Sequence, residues 1–238
     1  ADRQFSLIRY PEKHQHISLQ AWDSADELVI EHIESLLSEA SLSIGSGDND
    51  GSMMIFNDDF GALGCWFSHL APYWVSDSYI SLRSLSENLK ANHLLGNAET
   101  SNKNGLLTAP LKTLTSVQSL TFKPEKAPSL VVLKVPRALA LLEQQLIDLQ
   151  KYVTPNTRIV ATGKVKGDKR HSGDHKTPEG IYTIRNFHSQ KYLLKKYGKE
   201  GEIYGVGAFT LDYPNKIDRM KKKTGGGIWI HSTNDETR

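Results

Sequence analysis

Residues 53–64 read MMIFNDDFGALG. The apolar run from Met53 to Phe56 has the length and unbroken character of a buried strand. Asn57 and Asp58 follow at once, then Gly61 and Gly64, a composition that turns the chain and opens a helix. A strand that passes through such a turn into a helix is the first step of an α/β sheet with parallel strands. A nucleotide-type cofactor would be held at the same place. The backbone must come close to the ligand there, and an acidic residue ending the next strand must hold a ribose. Asp77, 19 residues past Asp58, ends the next strand-like run, YWVSD at 73–77. Asp58, Gly61 and Asp77 are therefore the candidate cofactor-binding residues. Phe60 and Leu63 crowd the turn, so the glycine pattern departs from the cofactor fingerprint. The alternative is an α/β domain whose turns contain Gly and Asp without binding anything.

The same alternation extends on both sides. FSLIRY (5–10) is strand-like. DSADELVIEHIESLLSEA (23–40) has helical apolar spacing, with Asp23 or Ser24 as N-cap. SLRSLSENLKANHLL (81–95) predicts a second helix, SLVVLKV (129–135) a buried strand, RALALLEQQLIDLQKYV (137–153) a strongly periodic helix and RIVATGKV (158–165) a further strand. Residues 96–128 are rich in loop formers. After Gly163 the texture changes. KGDKRHSGDHKTPEG (166–180) reads as a long hairpin or loop. It is followed by the short aromatic and β-branched strands IYTIRNF, GAFTLDY and GIWIH, with one short helix in SQKYLLKKYG. This half reads as mainly β.

Charge divides the chain in the same place. Residues 161–238 carry 16 Lys and Arg against 9 Asp and Glu, a net +7, whereas residues 1–160 carry a net −5. Such a contrast suggests two units with different partners. At 238 residues, 38% hydrophobic and 24% charged, the chain has the composition of a globular protein. It contains no apolar run near the roughly 20 residues of a membrane helix, so no membrane insertion is expected. It shows no leader peptide at its polar start. A single cysteine, Cys65, excludes an internal disulfide framework and a multi-cysteine metal site.

IRYPEKHQHISLQAWDSADELVIEHI, FNDDFGALGC, SDSYISLRSLSENLKAN and VVLKVPRALALLEQQL together resemble the N-terminal domain of the 23S rRNA guanine-N2 methyltransferases, over residues 5–160. The resemblance implies a Rossmann-like, methyltransferase-type α/β domain. In that family it is a degenerate copy of an S-adenosylmethionine-binding domain that aids RNA recognition, and the catalytic copy carries an Asn-Pro-Pro-aromatic motif. Here the corresponding position after the fourth strand reads Lys134-Val135-Pro136-Arg137, with no side chain able to accept hydrogen bonds from a guanine amine. The resemblance therefore implies a domain without methyl transfer and without a bound cofactor. Ribosomal RNA is the implied partner and the cytoplasm the implied location. The net −5 of this half opposes strong phosphate contact.

VATGKVKGDKRHSGDHKTPEGIYTI and YGVGAFTLDYPNKIDRMKKKTGGGIWIHST resemble the catalytic domain of YkuD-type L,D-transpeptidases, over residues 159–238. The resemblance implies a β-rich fold acting on peptidoglycan stem peptides, in the periplasm or cell wall. A cysteine thiolate forms a thioester there, and an upstream histidine moves its proton. His231 carries over as the general base, and Ser232 as the residue that orients it. The Ser-x-Gly-Cys segment expected about 15 residues later is not in the sequence. The reading is thus a chimera or truncated fusion: residues 1–158 a degenerate methyltransferase-like domain, residues 159–238 an incomplete L,D-transpeptidase segment, and the whole catalytically incomplete. The alternatives are a cell-wall L,D-transpeptidase or carboxypeptidase active only in a longer parent chain, and a 23S rRNA guanine-N2 methyltransferase lacking its catalytic domain. Cys65, in the helix after the first strand, is expected to be buried and inert. His14, His16, His32, His69 and His93 suggest no metal site by their spacing. His171 and His175 are expected in a solvated loop, as is the Lys221–Lys223 run.

Overall fold

In the computed structural model the described residues are 3–11, 20–45, 50–96, 105–162, 171, 178 and 182–231. They form two compact units: residues 1–134 with 152–157, and residues 135–151 with 158–238.

The first unit is a four-stranded parallel sheet. β1 (Ser52–Phe56), β2 (Tyr73–Val75), β3 (Lys112–Leu114) and β4 (Pro128–Lys134) lie in the order β3-β2-β1-β4. β1 pairs with β2 through Ile55↔Trp74 and with β4 through Ile55↔Val132, both parallel. Met53 to Phe56 and Leu130 to Leu133 are completely buried, as unbroken apolar strands inside a parallel sheet must be.

Helix α1 (Ser24–Ser38) begins at Asp23, whose carboxylate accepts from Asp26 N while the Asp26 carboxylate accepts from Asp23 N, a complete capping box. Val29, Ile33 and Leu36 bury one stripe of it. The turn after β1 enters the short helix α2 (Ala62–Trp66), and α3 (Tyr79–Ala91) starts at the N-cap Ser78. The loop-rich stretch between them and β4 contains the single-turn helix α4 (Ser116–Ser119), capped by Thr115 and Gln118.

FSLIRY is the first departure from the sequence reading, because it belongs to no strand. Its backbone partners are two asparagine side chains, Asn88 on α3 and Asn92 at its C-cap. Asn88 Oδ1 accepts from Ile8 N and Asn88 Nδ2 donates to Ile8 O. Asn92 makes the same pair with Ser6 N and Ser6 O. The geometry fits because four helical residues rise about 6 Å and two extended residues about 6.6 Å. A helix thus presents amide groups at nearly the spacing of a strand, and the extended segment is satisfied without a sheet.

The second unit contains α5 (Leu139–Tyr152) up to Lys151, and an antiparallel sheet. Its strands β5 (Arg158–Thr162), β6 (Tyr182–Ser189), β7 (Gly207–Leu211) and β8 (Trp229–His231) lie in chain order. Between β6 and β7 lie α6 (Gln190–Tyr197), capped by Ser189, and a 3-10 segment (Gly198–Tyr204). Between β7 and β8 lies α7 (Lys216–Met220). The three expected strands are present, but the region is not mainly β: α6, the 3-10 segment and α7 hold more of residues 182–231 than the strands do, and of these only α6 was expected. The loop read at 166–180 lies outside the described residues apart from His171 and Pro178. The Lys221–Lys223 run departs from expectation at its last residue. Lys221 and Lys222 are exposed, but Lys223 is buried and its ammonium lies 3.3 Å from Asp218, which Tyr182 Oη also reaches. The turn that ends α7 points this third lysine inward.

Asn88 is fully buried and serves Ile8 N, Ile8 O and Phe60 O at once. Asn88→Ala should therefore destabilise the protein by about 2–3 kcal/mol, since it leaves buried backbone groups unpaired. Urea denaturation followed by Trp fluorescence measures it, and an unchanged midpoint would contradict the clamp.

Candidate functional site

In a parallel α/β sheet, ligands bind beyond the carboxyl ends of the strands. In the first unit that edge is built from Asn57 to Gly61 after β1, Ser76 and Asp77 after β2, and Lys134 at the end of β4. Asn57 adopts φ 63, and its side-chain Nδ2 donates to Lys134 O at 2.8 Å, tying the β1 turn to the end of β4.

Asp58 is 1% exposed. Its Oδ2 accepts from Gly64 N at 2.8 Å and from Trp74 Nε1 at 3.0 Å, and its Oδ1 from Leu63 N at 3.4 Å. The carboxylate therefore caps the start of α2 and holds the indole of β2. The counter-charge comes from Lys134, itself 3% exposed. Its ammonium lies 2.7 Å from Asp26 Oδ1 and 3.9 Å from the half-exposed Asp59. Burial pushes the Asp58 carboxyl upward, with Lys134 and the three N–H donors opposing it. Burial likewise raises Asp26 to about 6, against the pull of Lys134, with Asp58 and Asp23 adding to the rise. For Lys134, burial alone would lower the ammonium. Asp26 and Asp58 outweigh it, so its pKa lies above the usual value and it stays charged.

The other two predicted residues also have packing partners. Gly61 has φ +82, and a Cβ there would sit 2.7 Å from Leu85 Cα, so its missing side chain lets α3 approach the turn. Asp77 Oδ1 accepts from Ser116 N at 2.7 Å, at the start of α4. Tested against an adenosyl cofactor, the set does not fit. The turn is closed to a ligand, because Asp58 is enclosed with both oxygens engaged, Leu85 packs against Gly61 and a lysine ammonium is fixed at the neighbouring strand end. This holds although Asp77, the carboxylate placed to hold a ribose, is exposed with Oδ1 accepting from Ser116 N.

His231, at the end of β8, is half-buried and pairs with Ala208 of β7. Its ring meets that of Tyr204 edge-on at 4.9 Å. Ser232 lies outside the described residues. Cys65 is fully buried in α2, where burial first and the nearby Asp58 second push its thiol well above the ordinary range. The described residues contain no cluster of three or more potential metal ligands. His171 is exposed, while His14, His16 and His175 are outside the described residues. No helix among the described residues is long and apolar enough to cross a membrane.

Residues 1–172 match the family described as the RLMG N-terminal domain. The chain belongs to that family. Residues 136–238 match the L,D-transpeptidase catalytic domain, so residues 136–172 fall within both matches. Among curated relatives, the ribosomal RNA large subunit methyltransferase G of Alteromonas mediterranea is 76% identical over 166 residues, covering 70% of this chain and 40% of that protein. The protein of the same name from Pectobacterium atrosepticum is 36% identical over 237 residues, covering 94% of this chain and 56% of that protein. The chain thus spans between two fifths and somewhat over half of these relatives. Among solved structures, the cell shape determining protein Pgp2 of Campylobacter jejuni is 39% identical over 33% of this chain and 24% of its own, with a TM-score of 0.25. The amino pentose methyltransferase CalS10 of Micromonospora echinaspora is 10% identical over 73% of this chain and 72% of its own, with a TM-score of 0.40.

Within the RLMG-type unit, the sequence reading overlooked Asp26. Two signals pointed to it. Asp26 stands at the third position of a helix capped by Asp23, and a lysine ends the otherwise apolar run SLVVLK, where a buried ammonium requires a buried anion. Removing the cation should be costly. Lys134→Met should lower stability by about 3–5 kcal/mol, because it leaves Asp26 and Asp58 without their counter-charge. Thermal melts followed by tryptophan fluorescence test this, and an unchanged midpoint would contradict it.

The sign of the pH dependence also follows. The folded state holds a proton on Asp26 up to about pH 6, while an unfolded aspartate releases it near 3.8. The folded state binds more protons in this window, so this group's contribution to stability falls as pH rises from about 4 to 6. The stability of the native protein minus that of Asp26→Asn should decline across that window in urea titrations at pH 4, 5 and 6. Parallel curves would show that Asp26 does not titrate there.

Proposed function

We propose that the first unit is a cofactor-free, non-methylating domain of the ribosomal RNA methyltransferase type, and that the second derives from a peptidoglycan L,D-transpeptidase, the two joined as a fusion. The observation that carries this reading is the enclosure of Asp58. A domain that held S-adenosylmethionine would need the turn after β1 open for its backbone to approach the ligand, and here Leu63, Gly64, Trp74 and the charge of Lys134 occupy the Asp58 carboxylate and close that turn. The motif position at Lys134-Val135-Pro136 supports the same reading, since a buried ammonium donates hydrogen bonds and cannot accept them from a base amine. In this reading the domain serves ribosomal RNA recognition in a cytoplasmic setting, as the name of its relatives suggests. Asp58, Gly61 and Asp77 retain the positions of cofactor residues but act in packing.

A second reading is favoured by the L,D-transpeptidase match and by His231 standing on a strand of that region. In it, His231 and Ser232 are the base and its orienting hydroxyl in a cell-wall cysteine enzyme whose nucleophile lies elsewhere in a parent protein. Cys65 does not supply that nucleophile. A thiol raised this far by burial presents almost no thiolate at neutral pH, and thiolate is the attacking species.

Two measurements separate the readings. Calorimetry with S-adenosylmethionine at millimolar concentration should show no binding, and micromolar affinity would overturn the first. Incubation with a carbapenem should leave the intact mass unchanged. An adduct lost in both Cys65→Ala and His231→Ala would show one assembled cysteine–histidine site and replace the first reading by the second.

A further inference from the structure

The second unit carries an aromatic face that the first reading does not use and that reaches His231, the base of the second reading. The register across its last three strands decides which side chains share that face. His188, Ala208 and His231 form one lateral row, and Asn186, Thr210 and Trp229 the next. Phe187, Phe209 and Ile230 form the row between them and so point to the opposite side. The rings of the first side continue into α6 and the 3-10 segment. His188 stacks on Tyr192 at 4.8 Å with an interplanar angle of 18°. Trp229 contacts His188, Tyr197 and Tyr204, and Tyr204 meets His231. Six rings are therefore contiguous, yet all remain partly accessible, with Tyr192 44% and Tyr197 37% exposed. Contiguous rings left at a surface mark a contact site rather than a core.

Charge indicates what lies against them. Lys196 Nζ is 5.1 Å from the Tyr197 ring centroid and 5.8 Å from that of Tyr192. Lys191, Lys195 and Lys199 are exposed on the same short stretch, which remains net positive despite Glu200 and Glu202. From Tyr182 to His231 the chain carries 10 Lys and Arg against 4 Asp and Glu. A ligand that matches both features must offer flat π-faces and a regularly spaced anion. Single-stranded nucleic acid offers both in every nucleotide, its bases stacking on aromatic rings while cations follow its phosphates. A neutral glycan would use the rings and leave the lysines idle.

We infer that the face formed by His188, Tyr192, Tyr197, Tyr204 and Trp229, flanked by Lys195 and Lys196, is a single-stranded nucleic-acid binding platform. The inference does not rest on the cofactor-free reading of the first unit, and cofactor calorimetry leaves it untouched.

The test is fluorescence anisotropy of the full chain with a labelled 12-nucleotide oligouridylate. Binding should be micromolar at low salt, and the logarithm of the affinity should fall against that of salt with a slope of about −2 to −3, for three or four phosphates. Tyr192→Ala and Tyr197→Ala should each weaken binding about tenfold, whereas Tyr192→Phe, which keeps the ring, should bind as the native chain does. Lys195→Glu with Lys196→Glu should flatten the salt slope. Lys90→Glu, an exposed lysine of the first unit, should change nothing. Circular dichroism confirms that the variants fold, as expected for exposed positions. The inference fails if no oligonucleotide binds, if binding survives loss of both tyrosine rings, or if Lys90→Glu alone abolishes it. It also fails if a neutral N-acetylglucosamine oligomer binds the same rings more tightly with no response to salt, which would assign the face to carbohydrate.

Discussion

One buried ammonium organises the first unit. Lys134 ends strand β4 and places its charge between Asp26, at the first turn of α1, and Asp58, in the turn after β1. Asp26 in turn completes the cap of its own helix. Asp58 fixes the start of α2 and the indole of Trp74 on β2. One cation therefore links the end of β4, a helix start and the turn after β1, at the edge where an α/β sheet of this kind usually receives a ligand. Buried pairs contribute little net stability over apolar packing, but removing one partner leaves a desolvated charge. The carboxyls show this imbalance: burial raises both, and Lys134 only partly compensates.

Each residue that suggested a cofactor turn has a structural reason to be there. Gly61 admits the backbone of α3 at Leu85. Asp58 meets three N–H donors, and Asp77 meets the first N–H of α4. Spacing alone could not separate the two roles, because Asp58 and Asp77 stand in the same order and at a similar distance in a binding turn and in a packing turn. The deciding partners are distant in sequence: Trp74 is 16 residues from Asp58, and Lys134 is 108 from Asp26. The asparagine clamp is similar. FSLIRY is strand-like in composition, and only the fold reveals that its hydrogen bonds go to side chains 80 and 86 residues away.

In the second unit the strands were legible because each is short, aromatic or β-branched, and bounded by glycine or proline. His231 was singled out by its motif, and it stands on β8 as its alternation implied. Its neighbours were not legible. The row that brings His188, Ala208 and His231 to one side depends on antiparallel register, which a one-residue slip would reverse. Lys223 looked like its two neighbours in sequence and was turned inward by the end of α7.

Local sequence therefore determined the long helices and the buried strands, the two family resemblances and the burial expected of Cys65. These depend on apolar period, capping residues and turn formers within a few positions of one another. Tertiary structure alone decided what the polar residues do. A buried carboxylate or ammonium is defined by the partners that replace water around it, and the fold gathers those partners from segments too far apart in the chain for any local pattern to connect.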